Sequence, residues 1–139
     1  MSRVLITGST DGLGLLAGRL LAADGHAVTL HARSDARADD ARAALPAAEG
    51  VLVGDLSTIA GMRAVAGQAE DAGRFDTVVH NAAVGYQERQ RVGTEDGLAL
   101  VFAVNVLAPY LLTALMTAPA VHGPRPSAPS RGSARAREG

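Results

Sequence analysis

Residues 7–14, Thr-Gly-Ser-Thr-Asp-Gly-Leu-Gly, set three glycines where a short apolar run gives way to a helical pattern. Gly8 lets the chain turn tightly off a strand, and Gly12 lets the backbone approach an anion with no Cβ in the way. Gly14 lets the helix pack close to the sheet. A helix beginning there offers free N–H groups and a partial positive charge, which suits a pyrophosphate. The competing reading is a plain glycine-rich strand-to-helix turn. A Walker-type phosphate loop is excluded, because it needs a lysine and all 13 basic residues are arginine. A methyl-donor site on a related fold is a rival that the later residues disfavour.

The elements that must position this loop follow from the alternation of patterns. "RVLIT" (3–7), "HAVTLHA" (26–32) and "GVLVGD" (50–55) read as buried parallel strands, and "RFDTVVHNAA" (74–83) as a fourth strand with the loop leaving it. Between them lie a helix with Leu13, Leu16, Ala17, Leu20 and Leu21 as its inner face, a polar helix over 34–45 capped by Ser34, and a helix from Ser57 to about residue 72. The inner face of the third helix is Ile59, Met62, Val65 and Ala69. Thr94 is expected to cap a long helix over 95–116, apolar on most sides and therefore buried, with a kink at Pro109. Strands alternating with helices predict an α/β fold, a Rossmann-type doubly wound parallel sheet, incomplete, with strand order 3-2-1-4 and helices on both faces. The domain is expected over 1–116. The proline-, arginine-, serine- and alanine-rich segment 117–139 is expected to be a disordered tail.

Composition narrows the chemistry. The 139 residues suffice for one domain, 47% are hydrophobic, and the net charge of −1 argues against nucleic acid or an anionic membrane as partner. The absence of cysteine removes disulfides and thiolate chemistry. Four histidines, at 26, 31, 80 and 122, show no metal-ligand spacing, so no metal site is expected. No apolar run approaches the roughly 18 residues of a membrane span, and Gly8 interrupts the N-terminal run before it could act as a signal peptide. A cytoplasmic location is expected.

The stretch "TGSTDGLG" resembles the T-G-x-x-x-G-x-G pattern of the short-chain dehydrogenase/reductase family, and three further stretches fall in that family's order. "GDL" (54–56) resembles the segment where an aspartate meets the adenine, "HNAAV" (80–84) the family's N-N-A-G, and "FAVNVLAPYLLT" (102–113) the helix carrying an asparagine, here Asn105. The resemblance covers residues 3 to about 116. "LHARS" with the Ala- and Arg-rich helix after it looks most like the retinol-dehydrogenase-like branch. The resemblance implies a dinucleotide held by Thr7, Gly8, Ser9, Asp11, Gly12, Leu13 and Gly14. Asp55 and Leu56 would lie at the adenine, and Asn81, Ala82 and Ala83 on the ribose side. His80 stands for the family's first Asn and Ala83 for its Gly, which the fold tolerates only if residue 83 keeps a negative φ.

A physical argument selects among cofactors. An acid at the end of the second strand bonds a free ribose 2′-hydroxyl and repels a 2′-phosphate, whereas arginine does the reverse. Here that position holds Arg33, with Ser34 and, further off, Arg37 beside it, so NADP is expected over NAD. The alternative for Arg33 is a solvated surface residue, and for Asp55 an ordinary loop or capping aspartate.

The family's hydride transfer, by the resemblance, uses a serine, a tyrosine and a lysine four residues after the tyrosine, whose charge makes a phenol of pKa near 10 usable. The tyrosines here are Tyr86 and Tyr110, followed at that spacing by Gln90 and Ala114, and the sequence contains no lysine. Ser127, Ser130 and Ser133 lie in the proline-rich segment. Catalytic residues are therefore expected to be absent, and Asn105 is expected to persist as a buried, helix-bending amide. The sequence predicts a family oxidoreductase that has lost its C-terminal half by truncation or frame shift and is inactive alone. The alternatives are a non-catalytic NADP-binding module and a fragment that self-associates through the strand edge 77–80 or the helix 95–116.

Overall fold

The computed structural model describes residues 1–85 and 92–116. Tyr86, Gln90 and the whole 117–139 segment, with its expected disorder, lie outside the described residues. The elements run β1 (Arg3–Ile6), α1 (Gly12–Ala23), β2 (Ala27–Ala32), α2 (Asp35–Ala44), β3 (Gly50–Val53), α3 (Ile59–Ala72) and β4 (Thr77–Val79). Then come α4 (Leu100–Phe102), a π-helical segment (Ala103–Leu107) and α5 (Ala108–Leu115). The sheet is parallel throughout, in the order β3-β2-β1-β4, as the alternation predicts.

Each face of the sheet carries its own core. Val4, Ile6, Leu15, Val28, Leu30 and Leu45 form one, beneath α1 and α2. Leu5, Leu52, Met62, Val65, Phe75 and Leu112 belong to the other, beneath α3 and α5. Alternate residues of β1 therefore feed opposite cores, as the period-2 geometry of a strand requires. Each fully buried aliphatic side chain here contributes roughly 1.5–3 kcal/mol.

The face of α1 differs from expectation. Gly14, Leu15 and Gly18 are the buried residues, while Leu13, Leu16 and Leu20 are 78%, 50% and 60% exposed. The helix is pressed so closely onto the sheet that a Cβ on Gly18 would come within 3.1 Å of Leu30 Cδ2. It can approach that far only along its smallest side chains, so the leucines turn outward.

Other boundaries shift for local reasons. Ser34 caps α2, accepting the Arg37 N–H at 3.3 Å, as expected. The cap of α3 is Thr58, whose hydroxyl accepts the Gly61 N–H at 2.9 Å, and not Ser57. The last helical stretch starts at Leu100, five residues later than expected, because residues 93–99 close on themselves through an antiparallel bridge between Gly93 and Ala99. Thr94 caps no helix; its hydroxyl accepts the Leu98 N–H within that turn. This stretch is also not buried on most sides, since Val101, Phe102, Val106, Tyr110 and Leu115 are exposed. The irregularity expected at Pro109 is the π-helical turn just before it. Pro109 has no N–H to give the carbonyl four residues back and crowds it, and a widened turn accommodates both defects.

The sheet edges are treated differently. On β3, the Gln68 amide accepts the Val53 N–H at 2.8 Å and donates to the Val53 carbonyl at 2.7 Å, imitating a neighbouring strand. Beyond β4 no described strand follows. No described helix is long and apolar enough to cross a membrane.

Candidate nucleotide-binding site

A cleft of about 660 Å³ opens at the carboxyl ends of β1, β2 and β4. In an open parallel sheet this is the switch point, where connections from neighbouring strands depart in opposite directions and leave a crevice. Its volume lies within the roughly 300–1,000 Å³ of ordinary ligand sites.

The glycine loop forms its floor. Gly12 begins α1 at φ +54°, a conformation suited to glycine, and a Cβ there would point into open space. Asp11 precedes the helix without making a side-chain cap. Leu15 is the first residue whose N–H returns to the Asp11 carbonyl, so the N–H groups before it have no partner within the helix. The approach of Gly14 to the loop is closer still: a Cβ there would lie 2.5 Å from the Gly8 carbonyl oxygen and 2.6 Å from Asn81 Nδ2. The cradle is thus shaped for an anion at a helix start, and the residues present fit a dinucleotide pyrophosphate.

Several expected residues serve this floor from behind. Thr7 is buried, and its hydroxyl accepts the N–H groups of Asn81 and Ala82, both at 3.1 Å. Ser9 is fully buried, donating to the Ile6 carbonyl at 2.7 Å and accepting the His31 N–H at 2.8 Å. Asn81 donates through Nδ2 to the Gly8 carbonyl at 2.9 Å. Thr7, Ser9 and Gly14 shape the cleft without lining it, while Gly8, Asp11, Gly12 and Leu13 line it.

The walls come from the ends of β2, β3 and β4. Arg33, Asp55, Leu56, Asn81, Ala82 and Ala83 all line the cleft. Every described non-glycine residue keeps a negative φ, so Ala83 satisfies the condition its methyl imposes. Ser34 does not line the cleft; its hydroxyl serves the start of α2. Asp55 turns one carboxylate oxygen to the Ser57 N–H at 2.9 Å, an ordinary turn bond that leaves the other oxygen available.

The two cleft arginines differ in charge balance. Arg37 reaches from α2 to the loop, bonding Thr10 at 2.9 Å and Asp11 at 2.6 Å, with Asp40 at 3.4 Å. Its charge is therefore shared between two carboxylates. Arg33 is exposed at the cleft and pairs with no carboxylate among the described residues.

Residues that the sequence did not single out also converge here: Thr10, His31, Val84, Leu100 and Val104. Leu100 and Val104 come from the last helical stretch, whose approach to the glycine loop no local pattern announces. Asn105 has a different place from the buried one expected. It is exposed and grips Val84 at both backbone groups, accepting its N–H at 2.9 Å and donating to its carbonyl at 2.8 Å. It thereby ties the loop after β4 to the helix. Tyr110 is 69% exposed on α5 and does not line the cleft. Among the described residues no cluster of His, Cys, Asp or Glu could hold a metal ion.

Comparison with known proteins agrees with this arrangement. The profile of the short chain dehydrogenase family matches residues 2–125. An uncharacterized oxidoreductase of Emericella nidulans is 52% identical over 121 residues, covering 86% of this chain and 47% of the relative. A short-chain dehydrogenase of Penicillium rubens is 45% identical over 119 residues, covering 86% of this chain and 45% of its own length. Among solved structures, a short-chain dehydrogenase from Sphingobium yanoikuyae in complex with NADPH superposes with a TM-score of 0.65 at 27% identity, over 83% of this chain and 46% of that one. The chain spans about half the length of the curated relatives it matches.

Proposed function

The chain belongs to the short-chain dehydrogenase family, and from that premise we propose that it forms the dinucleotide-binding part of an oxidoreductase, with NADP preferred over NAD. The observation that carries the preference is Arg33, a cation at the cleft with no carboxylate partner among the described residues, where an NAD site would place an acid. The NADPH complex of the Sphingobium relative supports the same direction. In this reading the loop from Thr7 to Gly14 holds the pyrophosphate, Arg33 the 2′-phosphate, with Ser34 serving only to start α2 behind it, and Asp55 with Leu56 the adenine. Asn81, Ala82 and Ala83 take the ribose side. The retinol-dehydrogenase-like character of "LHARS" belongs to this proposal and rests on the sequence of residues 30–34.

When bound, the cofactor supplies hydride chemistry between its nicotinamide and a carbonyl or alcohol carbon. The described residues at the cleft orient the nucleotide, and among them no tyrosine–lysine pair stands ready for the proton. There is no lysine in the sequence, and the described tyrosine, Tyr110, lies away from the cleft. The isolated chain is therefore expected to bind cofactor without transferring hydride.

Titration of the wild type and Arg33→Ala with NADPH and NADH tests the cofactor assignment. A charge-assisted bond is worth roughly 1.5–3 kcal/mol, so the substitution should weaken NADPH binding by roughly 10-fold or more and leave NADH unchanged. Equal affinity for the two nucleotides in both proteins would refute the assignment.

A second reading, a self-associating module, is favoured by one group of observations. The β4 edge has no described neighbour, and the apolar side chains of Val101, Phe102, Val106 and Leu115 are exposed on the last helical stretch. Such a module would leave the glycine loop empty, and NADPH titration separates the two.

A further inference from the structure

His31 is 3% exposed and sits at the end of β2 in the wall of the cleft. Its ring touches two backbone groups from opposite directions. The Gly8 N–H points at Nδ1 at 3.0 Å, and the Gly54 carbonyl lies 2.8 Å from Nε2. An amide N–H can only donate and a carbonyl can only accept, so the two partners fix the tautomer: Nδ1 is bare and Nε2 carries the proton. The backbone of the same residue is bonded twice to Ser9, donating its N–H to the Ser9 hydroxyl at 2.8 Å and accepting the Ser9 N–H at 3.2 Å.

Gly8 is a junction. Its N–H goes to His31, while its carbonyl receives Asn81 Nδ2 and closely adjoins Gly14. Any displacement of Gly8 is thus felt at the start of α1. We propose that His31 is a positioning residue of the cleft, a strut that in its neutral Nε2–H form holds the glycine loop against the end of β3 and so sets the anion cradle. The strut rests on geometry alone; its effect on cofactor affinity rests on the nucleotide-binding reading.

Protonation at Nδ1 would set two donors face to face and release Gly8. The charged groups that line the cleft beside the ring are Asp11 from the loop, Arg33 beyond β2, Arg37 from α2 and Asp55 beyond β3. Burial lowers the proton affinity of His31 below the usual 6.5, opposed by its bond to Gly54 and by the attraction of Asp55. The neutral form is therefore the resting one at neutral pH.

The sign of the pH effect discriminates two roles. A histidine that served as a cationic phosphate ligand would bind anions more tightly in acid. A neutral strut would bind them less tightly, despite the added positive charge.

The experiment is a pH series from 5 to 8 on the ¹⁵N-labelled chain, following the Gly8 amide and the His31 ring nitrogens without ligand. It is combined with NADP⁺ titrations of the wild type and His31→Gln. The Gly8 amide should move with the His31 titration, and wild-type affinity should fall at least several-fold as the ring protonates. His31→Gln, which reports the ligand's own protonation, should lack that component. A Gly8 amide indifferent to the His31 titration, or wild-type affinity that rises in acid relative to the variant, would overturn the proposal. If Gly8 follows His31 but NADP⁺ binds at no pH, the strut stands and the nucleotide reading fails. Should the glutamine variant not fold, the ligand-free wild-type series still decides the strut: a Gly8 amide that follows the His31 ring nitrogens supports it, and one that does not overturns it.

Discussion

One glycine-to-alanine substitution should have opposite effects at two sites, and the contrast tests the packing of the glycine loop without any ligand. In a helix interior, alanine is ordinarily better than glycine by roughly 0.5–1 kcal/mol. Gly67, in α3, is exposed, and a Cβ there would meet nothing within 4 Å, so Gly67→Ala should realise that gain. At Gly14 the same methyl would meet the Gly8 carbonyl oxygen at 2.5 Å and Asn81 Nδ2 at 2.6 Å. Neither neighbour yields freely, because the first is backbone and the second is bonded to it at 2.9 Å. Overpacking costs about 1–3 kcal/mol, and a displaced Asn81 bond about 1 kcal/mol more. Less the propensity gain, Gly14→Ala should lose roughly 1–3 kcal/mol. Urea unfolding followed by circular dichroism, with a slope of about 1–3 kcal/mol per molar, should show the Gly14→Ala midpoint lower by roughly 1 M and the Gly67→Ala midpoint slightly higher. Equal midpoints for the two variants would refute the close approach of α1 to the loop.

Further outcomes follow from the same contacts. Thr7→Val removes the acceptor of the half-buried Ala82 N–H, and loss of that hydrogen bond should lower stability by roughly 0.5–1.5 kcal/mol in the same urea assay. Stability should also fall in mild acid: His31 binds its proton less readily folded than unfolded, so its contribution is complete above pH 6.5 and is lost progressively as pH drops toward the lowered folded value. His31→Gln should flatten that part of a melting-temperature series. Finally, Thr77→Lys sets a charge at an exposed position of the β4 edge strand; if the edge drives self-association, size-exclusion chromatography will show a smaller species, and an unchanged elution volume counts against edge pairing.

The strand order was legible because apolar strands alternate with helices in residues 3–83, right-handed crossovers leave few orders for such a chain, and the glycine loop after the first strand selects the dinucleotide-binding one. The cleft was legible for a related reason: glycines at the exit of β1 and Arg33 at the exit of β2 must meet once those strands are neighbours. What was not legible depends on distances between layers. Periodicity chose Leu13, Leu16 and Leu20 as the buried face of α1, but the helix packs through Gly14 and Gly18, which carry no hydrophobic signal. Asn105 read as a buried amide because its neighbours are apolar, yet its role is to hold Val84 across a loop. The place of His31 needed the register of three strands, since only that brings Gly8 and Gly54 to opposite sides of one ring.

The central claim, that this chain holds a nicotinamide dinucleotide in the cleft at the glycine loop, is tested most directly by calorimetric titration of the purified chain with NADPH and NADH. Saturable binding with one site per chain, tighter for NADPH, is the predicted result. No heat of binding from either nucleotide, with a chain shown by circular dichroism to be folded, would contradict it.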